Sequence, residues 1–143
     1  MTNPTGKGIR NDRAGGGFFG APRRKHTDGG LIVYRHQGVD LLCNIGQEIT
    51  APCTGRMSRV VSPYRHGQFR GVEIQAKRAT IKLMYLEPNY KLLGKIVRQG
   101  QVIGIAQDIT EKYPDSGMLP HIHIEVTNYD PTLLLEGLDG SVN

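Results

Sequence analysis

From Gly38 onward, short apolar runs alternate with turn-forming residues. GVDLLC (38–43), EITA (48–51), GRMSRVV (55–61), GVEIQA (71–76), ATIKLMYL (79–86), GQVIGIA (100–106) and HIHIEV (121–126) each have strand length and β-branched content. NIGQ, SPYRHGQFR and KLLGKIVRQG supply turn chemistry between them. No long stretch shows a clean 3.6-residue repeat, so the pattern predicts a mostly β fold, a single antiparallel β-sheet domain with little helix. DPTLLLEGL (130–138) predicts a short closing helix or turn. Residues 1–30 are rich in Gly, Pro and basic residues without periodicity and read as an N-terminal arm or long loop, ordered by whatever it lies on, ahead of a β domain at 31–143.

At 143 residues the chain is long enough for one domain that buries about two-thirds of its unfolded surface, so it needs neither metal nor disulfide merely to fold. Lys and Arg exceed Asp and Glu by 18 to 13. That balance favours polyanionic surroundings, but much of it sits in PRRKH and AKR, where a solvated face is the simpler reading. Nucleic acid is disfavoured, because no aromatic cluster accompanies the basic runs. No secretory signal is seen in the first twenty residues, and no window approaches the apolar length of a membrane span. Cys43 and Cys53 read as separate thiols, Cys43 closing an apolar run.

Two of the five histidines, His121 and His123, stand two residues apart in HIHIEV. In a strand they share one face, about 7 Å apart at Cα, while Ile122, Ile124 and Val126 take the other. Glu125 is assigned to the face opposite the histidines and so left out of the chemistry. A second motif, RHQGVDL, sets His36 and Asp40 four residues apart with Gly38 between, where a bulge or bend could aim both at one point. Imidazoles and a carboxylate on β elements form a donor set that suits one zinc ion. Three protein ligands would leave a position for water whose pKa zinc lowers to about 7, whereas four would close the site. Spacing leaves open whether His121 joins the metal.

These residues fall into ordered blocks: His36-x-x-x-Asp40, GVEIQ (71–75), VRQGQVIG (97–104) and HIHIEV (121–126). The series, covering roughly 36 to 135, resembles the lysostaphin-type zinc metallopeptidases, which cut peptide cross-links in bacterial cell walls. The pattern is also similar to the vertebrate leukocyte cell-derived chemotaxins, members of the same fold regarded as lacking peptidase activity. HQGVD followed by two apolar residues and Cys43, the Ala51-Pro52-x-Thr54-Gly55 turn, Lys112-Tyr113-Pro114, His121-x-His123-Ile124-Glu125 and Asp130-Pro131-Thr132 carry that similarity. The resemblance implies the lysostaphin-like fold, zinc on His36, Asp40 and His123, and His121 off the metal as general base or transition-state stabiliser.

Active members of that family carry a second catalytic histidine in a Tyr-x-His-Leu block. The aligned stretch is Leu83-Met84-Tyr85-Leu86, so Tyr85 occupies that position. A phenol can donate to an oxyanion but does not readily accept a proton at pH 7. Two functions follow as expectations. One is a zinc-dependent endopeptidase, or an impaired descendant, with a peptidoglycan peptide as substrate, His121 and Tyr85 as its catalytic pair, and virion or phage tail proteins as possible partners at the host cell envelope. The other is an inactive, zinc-stabilised binding or structural module using the same cleft for a glycan, peptide or partner protein. His26 and His66 read as solvated, and Arg23 as ordinary loop packing, or else as a bidentate contact to a substrate carboxylate.

Overall fold

The computed structural model describes residues 1–136. Its strands are, in chain order, β1 (Asn11–Asp12), β2 (Gly15–Gly16), β3 (Pro22–Thr27), β4 (Gly30–Arg35), β5 (Val39–Leu42), β6 (Glu48–Thr50), β7 (Gly55–Val61), β8 (Gly71–Gln75), β9 (Thr80–Met84), β10 (Leu86–Pro88), β11 (Ile96–Val97), β12 (Val102–Ala106) and β13 (His121–Val126). Short 3-10 turns at Tyr90–Leu92, Ile109–Glu111 and Pro131–Leu133 are the helical elements among the described residues. The mostly β fold is therefore as expected, and every apolar run from Gly38 onward contains a strand. The closing DPTLLLEGL stretch supplies the last 3-10 turn, while its residues 137 and 138 lie outside the described residues.

Two antiparallel sheets carry the body. One has six strands in the order β11-β7-β8-β9-β13-β5, the other three in the order β10-β12-β6. Alternation along the strands explains how they meet. Val39, Leu41, Val72, Ile74, Ile81, Leu83, Ile122 and Ile124 point to one face of the large sheet, at no more than 1% exposure, and join Ile49, Leu86 and Ile103 of the small sheet in one apolar cluster. Cys43 belongs to this cluster as a free thiol, its pKa pushed by burial up to about 11, and Cys53 is also free.

The opposite face of the large sheet is polar. Glu125 stands opposite Lys82, Lys82 opposite Glu73, and Glu73 opposite Arg59, a cross-strand row of alternating charge. Both Glu73 oxygens are engaged, one by Arg59 at 2.9 and 3.1 Å and the other by Ser58 at 2.9 Å.

The first twenty residues lie against the body. Thr2 N donates to Pro52 O, Thr50 N to Pro4 O, Leu42 N to Gly8 O, and Arg10 N to Asp40 O. This segment covers the outer edge of β5, which would otherwise end the large sheet with unpaired backbone groups. At the other end of the sheet, β11 is only two residues long. A feature not anticipated is the hairpin of β3 and β4, which spans residue 30 and pairs with neither sheet.

Burial would raise the Glu73 pKa, but hydrogen bonds from Arg59 and Ser58 hold it below the ordinary 4.5. A lowered folded-state pKa contributes stability that is present above the ordinary value and lost as pH falls through the lowered one. Glu73→Gln is expected to cost about 1 kcal/mol at pH 7 in urea denaturation. The gap from the parent should narrow as the pH drops below about 4.5.

Candidate metal centre

The centre grows from one register. In the pairing of β13 with β5, His123 stands directly opposite Asp40, so both side chains leave the outer face as neighbours. His36 arrives from the end of β4, its N–H bonded to Ala21 O and its carbonyl accepting from Gly20 N. Gly38 makes the approach possible. A Cβ there would overlap Ile124 O and stand 2.8 Å from two atoms of the His123 ring. The requirement is close packing of backbone on imidazole, where the sequence had pointed to a bend.

Three donor atoms converge. His36 Nε2 lies 3.0 Å from His123 Nδ1, His123 Nδ1 lies 2.9 Å from Asp40 Oδ1, and His36 Nε2 lies 3.3 Å from the same oxygen. A tetrahedral ion with bonds of about 2.0–2.1 Å separates its ligand atoms by about 3.3 Å, so the triangle has the dimensions of one face of such a site. The tautomers agree with this. His36 Nδ1 donates to Phe18 O at 3.1 Å, and His123 Nε2 donates to Glu125 Oε1 at 3.0 Å, which leaves a lone pair on each nitrogen facing inward. Two imidazole lone pairs and a carboxylate oxygen aimed at one point need a cation between them, either a proton or a metal ion. Burial opposes a charge on His123, yet Asp40 and Glu125 push its pKa up to about 9. Burial would likewise raise Asp40, but hydrogen bonds from His123 and His36 hold it well below the carboxylate range.

The second Asp40 oxygen faces two arginines. Arg10 Nε is 3.2 Å away and Arg23 Nη2 is 3.6 Å away. Arg10, only 3% exposed, also donates through Nη1 to Asp12 Oδ1 at 2.7 Å and to Gly15 O at 3.2 Å. Asp12 in turn accepts from Leu119 N at 2.9 Å, just before β13. Arg10 and Asp12 were not singled out from the sequence, because IRND lies in a segment without periodicity.

His121 is outside the triangle. Its Nδ1 donates to Leu119 O at 2.8 Å, which leaves Nε2 unprotonated and 3.7 Å from Asp40 Oδ2. Burial lowers its pKa against the pull of Asp40, so it is neutral and able to take a proton. Tyr85 has φ of 73°, a left-handed conformation unusual for a bulky residue. Tyr85 N donates to Arg70 O, and Tyr85 O accepts from Gln107 N, which holds that conformation. The ring stands edge-on to His121 at 5.7 Å between centroids. Its hydroxyl is 3.3 Å from that of Tyr64, itself 3.0 Å from that of Tyr113. Burial pushes the Tyr85 pKa up to about 12, so at neutral pH it is a donor.

Glu125 corrects an expectation. Positions 121, 123 and 125 have the same parity in an unbulged strand, so its carboxylate lies on the histidine face and bonds His123. His66 is exposed in the loop before β8, and the side chain of His26 lies outside the described residues. The donor triangle, His121, Tyr85, Tyr64 and Tyr113 line one cavity of about 610 Å³.

Residues 34–133 match peptidase family M23. Myeloid protein 1 from Gallus gallus is 34% identical over 137 residues, 94% of this chain and 39% of that protein. Leukocyte cell-derived chemotaxin-2 from Bos taurus is 37% identical over 103 residues, 70% of this chain and 66% of that protein. The chain thus spans less than two-thirds of either relative. Among solved structures, the catalytic domain of the antimicrobial peptidase lysostaphin from Staphylococcus simulans is 25% identical with a TM-score of 0.55, covering 82% of this chain and 87% of that one. A zinc-containing peptidase from Vibrio cholerae is 25% identical with a TM-score of 0.53, covering 86% and 36%.

Removing the guanidinium that joins Asp12 to Asp40 would leave buried carboxylates without their cation. Arg10→Met is expected to lower folding stability by roughly 3–5 kcal/mol in urea denaturation. Arg10→Lys should recover only part of this, because an ammonium cannot reproduce the planar fork that meets both carboxylates and Gly15 O.

Proposed function

The chain belongs to peptidase family M23, and on that premise we propose that it is a zinc-dependent endopeptidase acting on peptide bonds of bacterial peptidoglycan, in the cell envelope. The observation that carries this reading is the convergence of three inward lone pairs beside a neutral imidazole that is not one of them. The choice of ion is supported by the likeness to a peptidase from Vibrio cholerae that contains zinc.

His36, Asp40 and His123 would hold the ion, through Nε2, Oδ1 and Nδ1. Zinc, when bound, supplies a Lewis acid for the scissile carbonyl and lowers the pKa of water. The remaining work belongs to the chain. Phe18 O and Glu125 keep each ligating ring in one tautomer, and Arg10 keeps the second Asp40 oxygen occupied. His121 accepts the proton of the attacking water at Nε2 and returns it to the leaving amine, its orientation fixed by Leu119 O. Tyr85 donates its O–H to the oxyanion that develops on the carbonyl, with Tyr64 setting the phenol position. Because Tyr85 replaces a proton-transfer group, the rate is expected to fall about 10²- to 10⁴-fold below that of members with histidine there.

A second reading has its own support. The relatives at 34% and 37% identity include a protein named as a chemotaxin, and Tyr85 departs from the pattern of active members. On that reading the same cleft is a zinc-stabilised binding site for a peptide, glycan or protein. The fold and the relatives offer no support for a virion or tail partner.

Metal analysis of the purified chain is expected to give about one zinc per molecule, lost in His36→Ala and His123→Ala and kept in His121→Ala. The zinc-loaded chain should release muropeptides from purified sacculi, and His121→Ala should not. Tyr85→His should raise that release, since histidine tolerates a positive φ better than most residues. Release by Tyr85→His alone would mark an impaired enzyme, and none from either protein would leave the binding module.

A further inference from the structure

The β3–β4 hairpin joins neither sheet, and no residue of β4 belongs to the apolar cluster. Every position of β4 is exposed, with Leu31 at 51%, Ile32 at 50%, Val33 at 63% and Tyr34 at 47%. A strand that covers a core alternates between buried and exposed side chains. Four consecutive exposed apolar residues therefore put apolar surface on both faces of the ribbon. Phe18 and Phe19, at 50% and 38%, add to it beside the end of β4, where Gly20 and Ala21 bond His36.

The same ribbon is basic. Residues 22–35 contain Arg23, Arg24, Lys25 and Arg35 against Asp28 alone, so these fourteen residues hold three of the chain's net five positive charges. Arg24 and Arg35 are exposed, while Arg23 is turned toward Asp40.

Apolar side chains on two faces, with cations along the same ribbon, restrict what can cover it. A second copy pairing along the outer edge of β4 would extend the ribbon but leave both apolar faces in water, and it would bring two basic hairpins together. A soluble polyanion would meet the cations and none of the apolar surface. A bilayer with anionic headgroups meets both, the guanidinium groups at headgroup level and the Leu31–Tyr34 side chains at the acyl boundary. We propose that the β3–β4 hairpin docks the chain on an anionic lipid bilayer. Tyr34 and Arg24 also line the cavity of the donor triangle, so docking holds the mouth of the cleft at the membrane surface. The proposal is independent of peptidase activity, since a binding module would dock through the same ribbon.

Co-sedimentation of the whole chain with phosphatidylcholine vesicles, with and without phosphatidylglycerol, tests this. Binding to the anionic vesicles is expected to exceed that to the neutral ones by roughly tenfold or more. The double variant Ile32→Ser, Val33→Ser and the single variant Arg24→Glu should each lose most of it, with thermal melts unchanged, since these side chains are exposed. Equal binding to both vesicles, or anionic binding that survives the double variant, overturns the proposal, the latter marking a charge-only contact. A wild-type dimer in sedimentation velocity that becomes monomeric in the double variant, without vesicle binding, assigns the ribbon to a second copy and also overturns it.

Discussion

One buried carboxylate organises the polar half of this molecule. Asp40 is 3% exposed, and an ionised carboxylate at that depth is tolerable only when surrounded by donors. Its first oxygen faces His36 and His123, and its second faces Arg10, with Arg23 and His121 just beyond. Its backbone is used as well, the N–H donating to Gly17 O and the carbonyl accepting from Arg10 N. Gly17 has no alternative, since a Cβ there would come within 2.6 Å of Asp40 Cβ. Four separate stretches of chain are thus held to one side chain.

That convergence assigns a role to the first twenty residues beyond covering an edge. Arg10 and Asp12 link Asp40 to Leu119, and Arg13 donates to Asp115 O on the same loop. On the other side of the cavity, Gln68 bonds Glu111 and the hydroxyls of Tyr64 and Tyr113 meet. The loop before β13 is therefore clasped from both flanks, which fixes the entry of His121 and His123 into their strand.

Much of the body was legible because it obeys local rules. The alternation in TIKLM and HIHIEV states which residues face the core, and the pairs His36/Asp40 and His121/His123 announce a polar cluster. What stayed hidden depended on tertiary partners. Arg10 looks like any cation in a glycine-rich segment until Asp40 is placed beside it. Tyr64 sits in a loop of turn-formers, and its meeting with Tyr85 and Tyr113 has no trace in sequence spacing. Two features could have been read. Thr27 pairs with Gly30 across Asp28-Gly29, a dipeptide that favours a two-residue hairpin turn, with the β-rich LIVY following. Glu125 shares parity with the histidines and needed only counting.

The separation along the chain between the partners in the donor triangle has a consequence for how the molecule comes to be. Asp40 and His123 are 83 residues apart, and His36 and His123 are 87 apart. Contacts of such long range carry a large loop-closure entropy, whereas the hairpins of β7, β8 and β9 pair neighbours in sequence. During biosynthesis His36 and Asp40 leave the ribosome more than eighty residues ahead of His123, so the triangle stays incomplete until that last strand has been made. The cluster is thus a product of sheet closure, complete only once β13 takes its place beside β5 and sets His123 against Asp40.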